Sequence, residues 1–387
     1  MKRIYLDHNS TTPMRPEARE LLLELTAELA GNPSSLHAGG RRARDEIDRA
    51  RACVAAVLGV AEDEVLFTSG GTESNNLALL GHVHACGPEA GLVTTAAEHS
   101  SVLAAADALE AEGRPVARVG VDAAGLPDLD ELLAAAARPG TALVSVMAAN
   151  NEVGSTPPLD RLGARLADLP PDRRPVFHAD AVQALGRVPL DLAGWGVDLA
   201  SFSAHKVGGP VGVGVLVRRG RTPLAPLLHG GEQEHGLRPG TENAAGIAAA
   251  ARAIELAVAE LADYRSRVCR LTTALWAELA SRLPSARLLG PPIDTHERLP
   301  NTLCVSLPNT DGKVLVTRLD LDGLELSAGS ACASGSIEPS HVLLAMGADE
   351  AVARSGLRIS LGRTTTEEDC HRAVDILVKA FSSSRAT

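Results

Sequence analysis

Between residues 65 and 217 the chain alternates short apolar runs with stretches of helical periodicity, and this constrains its fold more than any other feature. Residues 65–68, 92–95, 116–121, 142–148, 176–178 and 211–217 read as strands, and 73–85, 100–111 and 128–137 read as helices. Strands alternating with helices of this length build βαβ units around a parallel-rich sheet. In such sheets ligands gather at the carboxyl ends of the strands. Before this region, a short strand near Tyr5 runs into a polar turn. Helices are expected over 15–30 and 41–58. After it, an alanine-rich pattern over about 244–283 reads as one long connecting helix. A second α/β section follows, with strands at 301–307 and 357–361 and helices at 314–321, from about 340, and at 366–380.

The strand ends carry polar groups. Ser69-Gly70-Gly71-Thr72 lies between a strand and a helix, where unpaired N–H groups and the helix dipole favour an anion. It also reads as a plain βα turn capped by Thr72. Asp180 ends a buried strand in His178-Ala-Asp-Ala-Val-Gln183 and is either a helix cap or a functional carboxylate. A carboxylate facing a pyridine nitrogen would keep that nitrogen protonated and improve the ring as an electron sink. Gln183, one turn on, would reach the same ligand. Glu98-His99 and Asn150-Asn151 also follow strands; taken singly, each is a capping or turn residue. Taken together, these places converge better on one cofactor than on separate caps.

Lysine is scarce. The chain has only Lys2, Lys206, Lys313 and Lys379, the rest of its basic charge being arginine. Lys206 follows Ser203 and His205 and precedes Gly208-Gly209-Pro210, a bend that lets backbone approach a ligand. If any lysine here forms a covalent imine with an aldehyde cofactor, it is Lys206. Arg358 sits in an alternating strand and suits a bidentate grip on a carboxylate, or a surface ion pair. Cys332 is flanked by small residues, Ser327-Ala-Gly-Ser-Ala-Cys-Ala-Ser-Gly-Ser336, and reads as a nucleophile on a mobile, exposed loop. Cys304, between Leu303 and Val305, reads as a buried structural thiol.

The formal net charge of −11 argues against direct nucleic-acid binding. No apolar run is long enough for a membrane span, and no signal peptide opens the chain. The six cysteines, at 53, 86, 269, 304, 332 and 370, form no CxxC pair. They indicate reduced thiols in a cytoplasmic protein.

Together these residues carry a resemblance. The motifs Tyr5-Leu-Asp-His-Asn-Ser-Thr-Thr-Pro13, Gly31-Asn-Pro-Ser-Ser-Leu-His37, Thr68-Ser-Gly-Gly-Thr-Glu-Ser-Asn-Asn76, Glu98-His-Ser-Ser-Val102, Ala149-Asn-Asn-Glu-Val-Gly154, His178-Ala-Asp-Ala-Val-Gln183, Ser203-Ala-His-Lys206, Arg238-Pro-Gly-Thr-Glu-Asn243, Gly329-Ser-Ala-Cys332 and Arg358-Ile-Ser-Leu-Gly-Arg363 stand in one order over nearly the whole chain. In that order the chain resembles the cysteine desulfurases of the NifS/IscS type, class V aminotransferase-like members of the fold-type I pyridoxal-phosphate enzymes. The resemblance implies an α/β fold. A large domain, residues 16–255, would carry a mostly parallel seven-stranded sheet flanked by helices. A smaller α/β domain, residues 1–15 and 256–387, would carry the Cys332 loop.

It also implies roles. Lys206 would hold pyridoxal 5'-phosphate as a Schiff base, Asp180 would pair with the ring nitrogen, and Gln183 would reach the ring hydroxyl. His99 would stack on the ring and help move protons. Gly71, Thr72, Ser203 and His205 would hold the phosphate, with Thr241 arriving from the second subunit of a homodimer. Asn151, Arg358 and Asn32 would position the carboxylate of L-cysteine. Cys332 would accept the sulfur as a persulfide and pass it to an acceptor protein. No intrinsic metal site is implied, although Cys332 could share a cluster with a scaffold partner.

Two departures stand out. His8, Ser10 and Arg15 replace the commoner small or acidic residues of the first motif. The chain also stops soon after its last helix, where housekeeping members carry an extension that docks the iron–sulfur scaffold. Iron–sulfur assembly, tRNA or DNA thiolation and other sulfur pathways are therefore all open. Selenocysteine lyase and other class V activities are the alternatives of the same fold. A non-catalytic scaffold is disfavoured because Lys206 and Asp180 are both present.

Overall fold

The computed structural model describes residues 3–293, 295–329 and 338–384. The chain opens with β1 (Ile4–Tyr5), α1 (Pro16–Glu28) and α2 (Ala38–Leu58), then enters the alternating region. There β2 (Val65–Thr68), α3 (Gly71–Ala85), β3 (Gly91–Thr95), α4 (Ser100–Ala111), β4 (Val116–Val119), α5 (Leu129–Ala136), β5 (Thr141–Ser145), α6 (Leu159–Ala167), β6 (Val176–Asp180), β7 (Leu199–Ser203) and β8 (Gly214–Arg218) build one seven-stranded sheet. Its order is β2-β8-β7-β6-β5-β3-β4. Neighbours from β4 to β7 pair in parallel, and β8 alone runs against the rest. The mostly parallel seven-stranded sheet implied by the sequence is thus present.

Residues of β3, β6 and β7 are buried on both faces almost without exception, because helices cover both sides. With few aromatic residues available, the core beneath is mostly Ala, Val and Leu, with Phe177 and Phe202 its largest fully buried apolar side chains. The strand order reverses direction at β3: β4 lies on one side of it and β5 on the other. That reversal opens a crevice at the carboxyl ends of β3 and β5, the place where open α/β sheets bind ligands.

The long alanine-rich pattern is two helices rather than one. α7 (Ala244–Ala259) and α8 (Leu261–Arg282) meet at Glu260. Glu260 has a use there: its carboxylate takes both contacts from Arg15 Nη1, at 3.0 and 2.9 Å. Alanine periodicity continues across the junction, so composition hides the break. α7 packs its small buried face against α1 and α2, while α8 turns Val268, Leu271, Leu275 and Leu279 into a second core.

That second core is built from β9 (Arg287–Leu289), β10 (Thr302–Ser306), α9 (Gly312–Leu321), β11 (Leu324–Glu325), β12 (Ser327–Ala328), α10 (His341–Ala345), α11 (Glu350–Ser355), β13 (Gly356–Ser360) and α12 (Glu367–Ser384). The strands form an antiparallel sheet in the order β12-β13-β10-β9, and β11 pairs in parallel with β1. The N-terminus therefore belongs to this core: Ile4 and Leu6 are buried in it. Among the described residues no helix is long and apolar enough to cross a membrane.

Candidate functional site

Loops from five strand ends line one cavity of about 460 Å³. From the end of β2 come Gly71 and Thr72, from β3 His99, from β5 Asn151, from β6 Asp180 and Gln183, and from β7 Ser203, His205 and Lys206. Arg358 of β13 reaches in from the second sheet, and Asn9 and Ser10 from the N-terminal arm. Ten of the residues expected in a site thus meet at one place.

Lys206 ends the short 3-10 turn Ala204–Lys206 that follows β7, where the chain reverses into β8. Gly208 makes that turn possible: its φ is +84°, and a Cβ there would lie 2.8 Å from Arg15 Cγ. The Lys206 ammonium donates to the carbonyls of Asn9 at 2.8 Å and Ser10 at 2.6 Å. His205 beside it is pushed down to about 4 by burial and by the charges of Lys206 and Arg187, so its ring is neutral at physiological pH. Its Nδ1 lies 3.1 Å from Thr11 Oγ1.

Asp180 is held from two sides. Its Oδ2 accepts from Asn75 Nδ2 at 2.7 Å and its Oδ1 from the Val182 amide at 3.0 Å. Asn75 Nδ2 also donates to Ser101 Oγ at 2.9 Å, and Ser101 Oγ lies 2.8 Å from His99 Nδ1. A hydrogen-bonded chain therefore links the imidazole to the carboxylate. His99 caps α4 through the same Nδ1, which accepts the Ser101 amide at 3.1 Å. Just before it, Glu98 is fully buried and pushed up to about 8, chiefly by burial and also by the charge of Asp180. Its Oε1 accepts from Met147 N at 2.9 Å and Thr95 Oγ1 at 3.0 Å, while its Oε2 is buried with no partner among the described residues.

Arg358 is 1 % exposed. Its Nη2 donates to Asp7 at 2.7 Å and its Nη1 to the Asn151 carbonyl at 3.3 Å. Its Nε is buried with no partner among the described residues, so a donor is left over for an arriving carboxylate.

These features fit pyridoxal phosphate. Gly70, the N-cap of the 15-residue α3, makes no side-chain cap, so first-turn N–H groups are left for an anion. A Cβ on Gly71 would meet Val182 Cγ2 at 2.8 Å, so glycine keeps that cradle open. Asp180 supplies a held carboxylate for a ring nitrogen, and Lys206 an amine for an aldehyde.

Three expected residues stand apart. Asn32 is exposed, and its Oδ1 accepts the Ser34 amide at 2.8 Å. Thr241 is exposed and does not line the cavity. Cys332 lies outside the described residues. Of its described flanks, Gly329 donates to the Gly356 carbonyl at 3.0 Å, and Ser340 Oγ donates to Glu152 at 2.5 Å. The sequence reading missed Asn9 and Asn75, and named Ser10 only as a departure from the first motif. Asn75 lies three residues after Thr72 on the same helix, a spacing that would have placed it on the same face.

The fold and this cavity define an α/β enzyme of the class V aminotransferase kind, and a family model described as Aminotransferase class-V matches residues 4–373. The chain is 41 % identical over 389 residues to "Cysteine desulfurase IscS" of Dictyoglomus turgidum, covering 100 % of this chain and 96 % of that protein. It is 43 % identical over 388 residues to "Cysteine desulfurase" of Cereibacter sphaeroides, covering 100 % and 97 %. A solved structure described as "NIFS-LIKE PROTEIN" superposes with a TM-score of 0.90 at 38 % identity, covering 98 % of this chain and 99 % of that one. The chain belongs to the class V aminotransferase family and, within it, to the cysteine desulfurases of the NifS and IscS kind.

Proposed function

We propose that this chain is a pyridoxal-phosphate-dependent cysteine desulfurase, converting L-cysteine to L-alanine with the sulfur taken up on Cys332 and passed to an acceptor protein. The observation that carries this reading is the meeting of Lys206, Asp180 and Arg358 in one cavity of a chain whose full-length relatives are cysteine desulfurases.

Gly71, Thr72, Ser203 and His205 would hold the cofactor's phosphate, with Thr241 of a second copy in a homodimer. Asp180 would pair with the ring nitrogen, Gln183 with the ring hydroxyl, and His99 would stack on the ring. When bound, pyridoxal phosphate supplies the electron sink for the bonds around the substrate Cα. Arg358, with Asn151 and Asn32, grips the substrate carboxylate. Lys206 would hold the cofactor through its Nζ amine, and that same amine, lining the cavity, is the group placed to accept the substrate Cα proton. The Cys332 thiolate forms an S–S bond to the substrate sulfur as the Cβ–S bond breaks. That bond's electron pair stays on carbon, which takes a proton. His99 serves the proton movements.

The two cores support a division into a large domain of residues 16–255 and a small domain of 1–15 and 256–387. A cytoplasmic location is supported by the thiols of Cys53, Cys86, Cys304 and Cys370, which form no disulfide among the described residues. The test is incubation of the purified protein with L-cysteine and a reductant, assaying sulfide and alanine together. Equal amounts of both support the reading; pyruvate or cystine in place of alanine would overturn it.

A further inference from the structure

Behind the cavity lies an arginine whose partners are all uncharged. Arg187 is 3 % exposed. Its Nη1 donates to the Gln183 carbonyl at 3.0 Å and to Gln183 Oε1 at 2.6 Å. Its Nη2 donates to the carbonyls of His8 at 3.2 Å and Lys206 at 3.3 Å. The Tyr264 hydroxyl is a further hydrogen-bond neighbour. A guanidinium buried among amide oxygens is costly to desolvate unless its donors are hydrogen-bonded, as both terminal nitrogens of Arg187 are.

The arrangement has a direction. Gln183 Oε1 is taken by Arg187, so its amide nitrogen must turn the other way. One N–H goes to the Asn9 carbonyl at 2.9 Å. That carbonyl also accepts the Lys206 ammonium at 2.8 Å. The remaining N–H of Gln183 is left to the cavity, which Gln183 lines. One side chain thus ties together the three chain positions around the reacting amine, at 8, 183 and 206, and polarises the amide that faces it.

We propose that Arg187 is a positioning residue that fixes Gln183 as a hydrogen-bond donor toward the oxygen of the cofactor ring, and holds the backbone of Lys206 in register with it. The proposal rests on the reading that Gln183 meets that oxygen. An N–H donor there favours the ionised oxygen, so its loss raises the pH at which the visible band of bound pyridoxal phosphate changes.

The experiment uses apoprotein titrated with pyridoxal phosphate and four variants: Q183M, R187M, R187K and Q183M/R187M. Each is scored by cofactor affinity, by the pH midpoint of the visible band, and by thermal melting. Q183M is expected to raise the midpoint by about one unit and weaken affinity about fivefold to tenfold. R187M shifts both in the same direction, and the double variant goes no further than Q183M in the midpoint. R187K keeps the charge and a single donor head, and gives an intermediate shift; it decides the matter if R187M does not fold. If Q183M shifts the midpoint while the folded Arg187 variants keep the wild-type value, Arg187 is structural only and the proposal fails. If Q183M itself leaves the midpoint unmoved, the reading of Gln183 fails, and the proposal with it.

Discussion

Glu98 shows how a single residue near the site can dominate a bulk property. Its folded carboxyl titrates near 8 because it is fully buried beside Asp180, whereas the unfolded carboxyl titrates near about 4.3. Below the unfolded value both states are protonated, and nothing is lost. Between the two values the unfolded state ionises and the folded one does not, so this residue's contribution falls as pH rises. The slope approaches about 1.4 kcal/mol per pH unit. Glu98→Gln should therefore flatten the pH dependence of thermal melting between pH 5 and 8, with the variant's advantage growing toward pH 8. Parallel curves for the two proteins would refute the assignment. Arg358 makes a second residue-scale case. Lysine cannot keep Asp7 and a carboxylate in one fork, so Arg358→Lys should raise the KM for L-cysteine at least about tenfold while cofactor affinity changes little, as steady-state kinetics and a cofactor titration would show.

At the scale of elements, the sequence displayed the site well because its chemistry clusters at strand ends. Period and turn residues located β2, β3, β5 and β6, and polar residues from the segments that follow them line the cavity; β7 was not read as a strand, although the lysine turn after it was singled out. What was not legible was set by distance in the chain. Asn9 and Arg187 act on Lys206 through backbone carbonyls, and no side-chain pattern announces a carbonyl acceptor. The short strands β9, β11 and β12 and the helices α6 and α11 also escaped, since two to nine residues leave too few periods to read. The junction of α7 and α8 escaped because alanine runs through it. The segment before α7 carries an element-scale prediction of its own. Glu234 has a φ of +47° and is almost wholly buried. It accepts from Arg51 at 2.7 and 3.0 Å and from the Phe67 amide at 2.8 Å, with Arg51 stacked over the Phe67 ring. Glu234→Ala strands a buried guanidinium and should cost about 3–5 kcal/mol in urea unfolding. A loss below about 1 kcal/mol would mean that the clamp is only a surface pair.

For the whole molecule, two placements bear on assembly. Asn32 and Thr241 are exposed and away from the cavity that their motifs suggest they serve. In the proposed homodimer Thr241 completes the site of the second copy, so Thr241→Ala should weaken cofactor affinity about threefold to tenfold without changing the melting of the apoprotein. An unchanged affinity would separate Thr241 from the phosphate. The second core fixes the N-terminal arm against β11 and β13 while the same arm presents Asn9 and Ser10 to Lys206. One strand and a short turn thereby connect the two halves of the chain through the reacting amine. The central claim concerns the sulfur, and peptide mass mapping after incubation with L-cysteine, without reductant, tests it most directly. The account predicts a gain of one sulfur atom on the peptide carrying Cys332, and neither that gain nor alanine formation in Cys332→Ala. Sulfur gained on another cysteine, or alanine formed undiminished by Cys332→Ala, would contradict it.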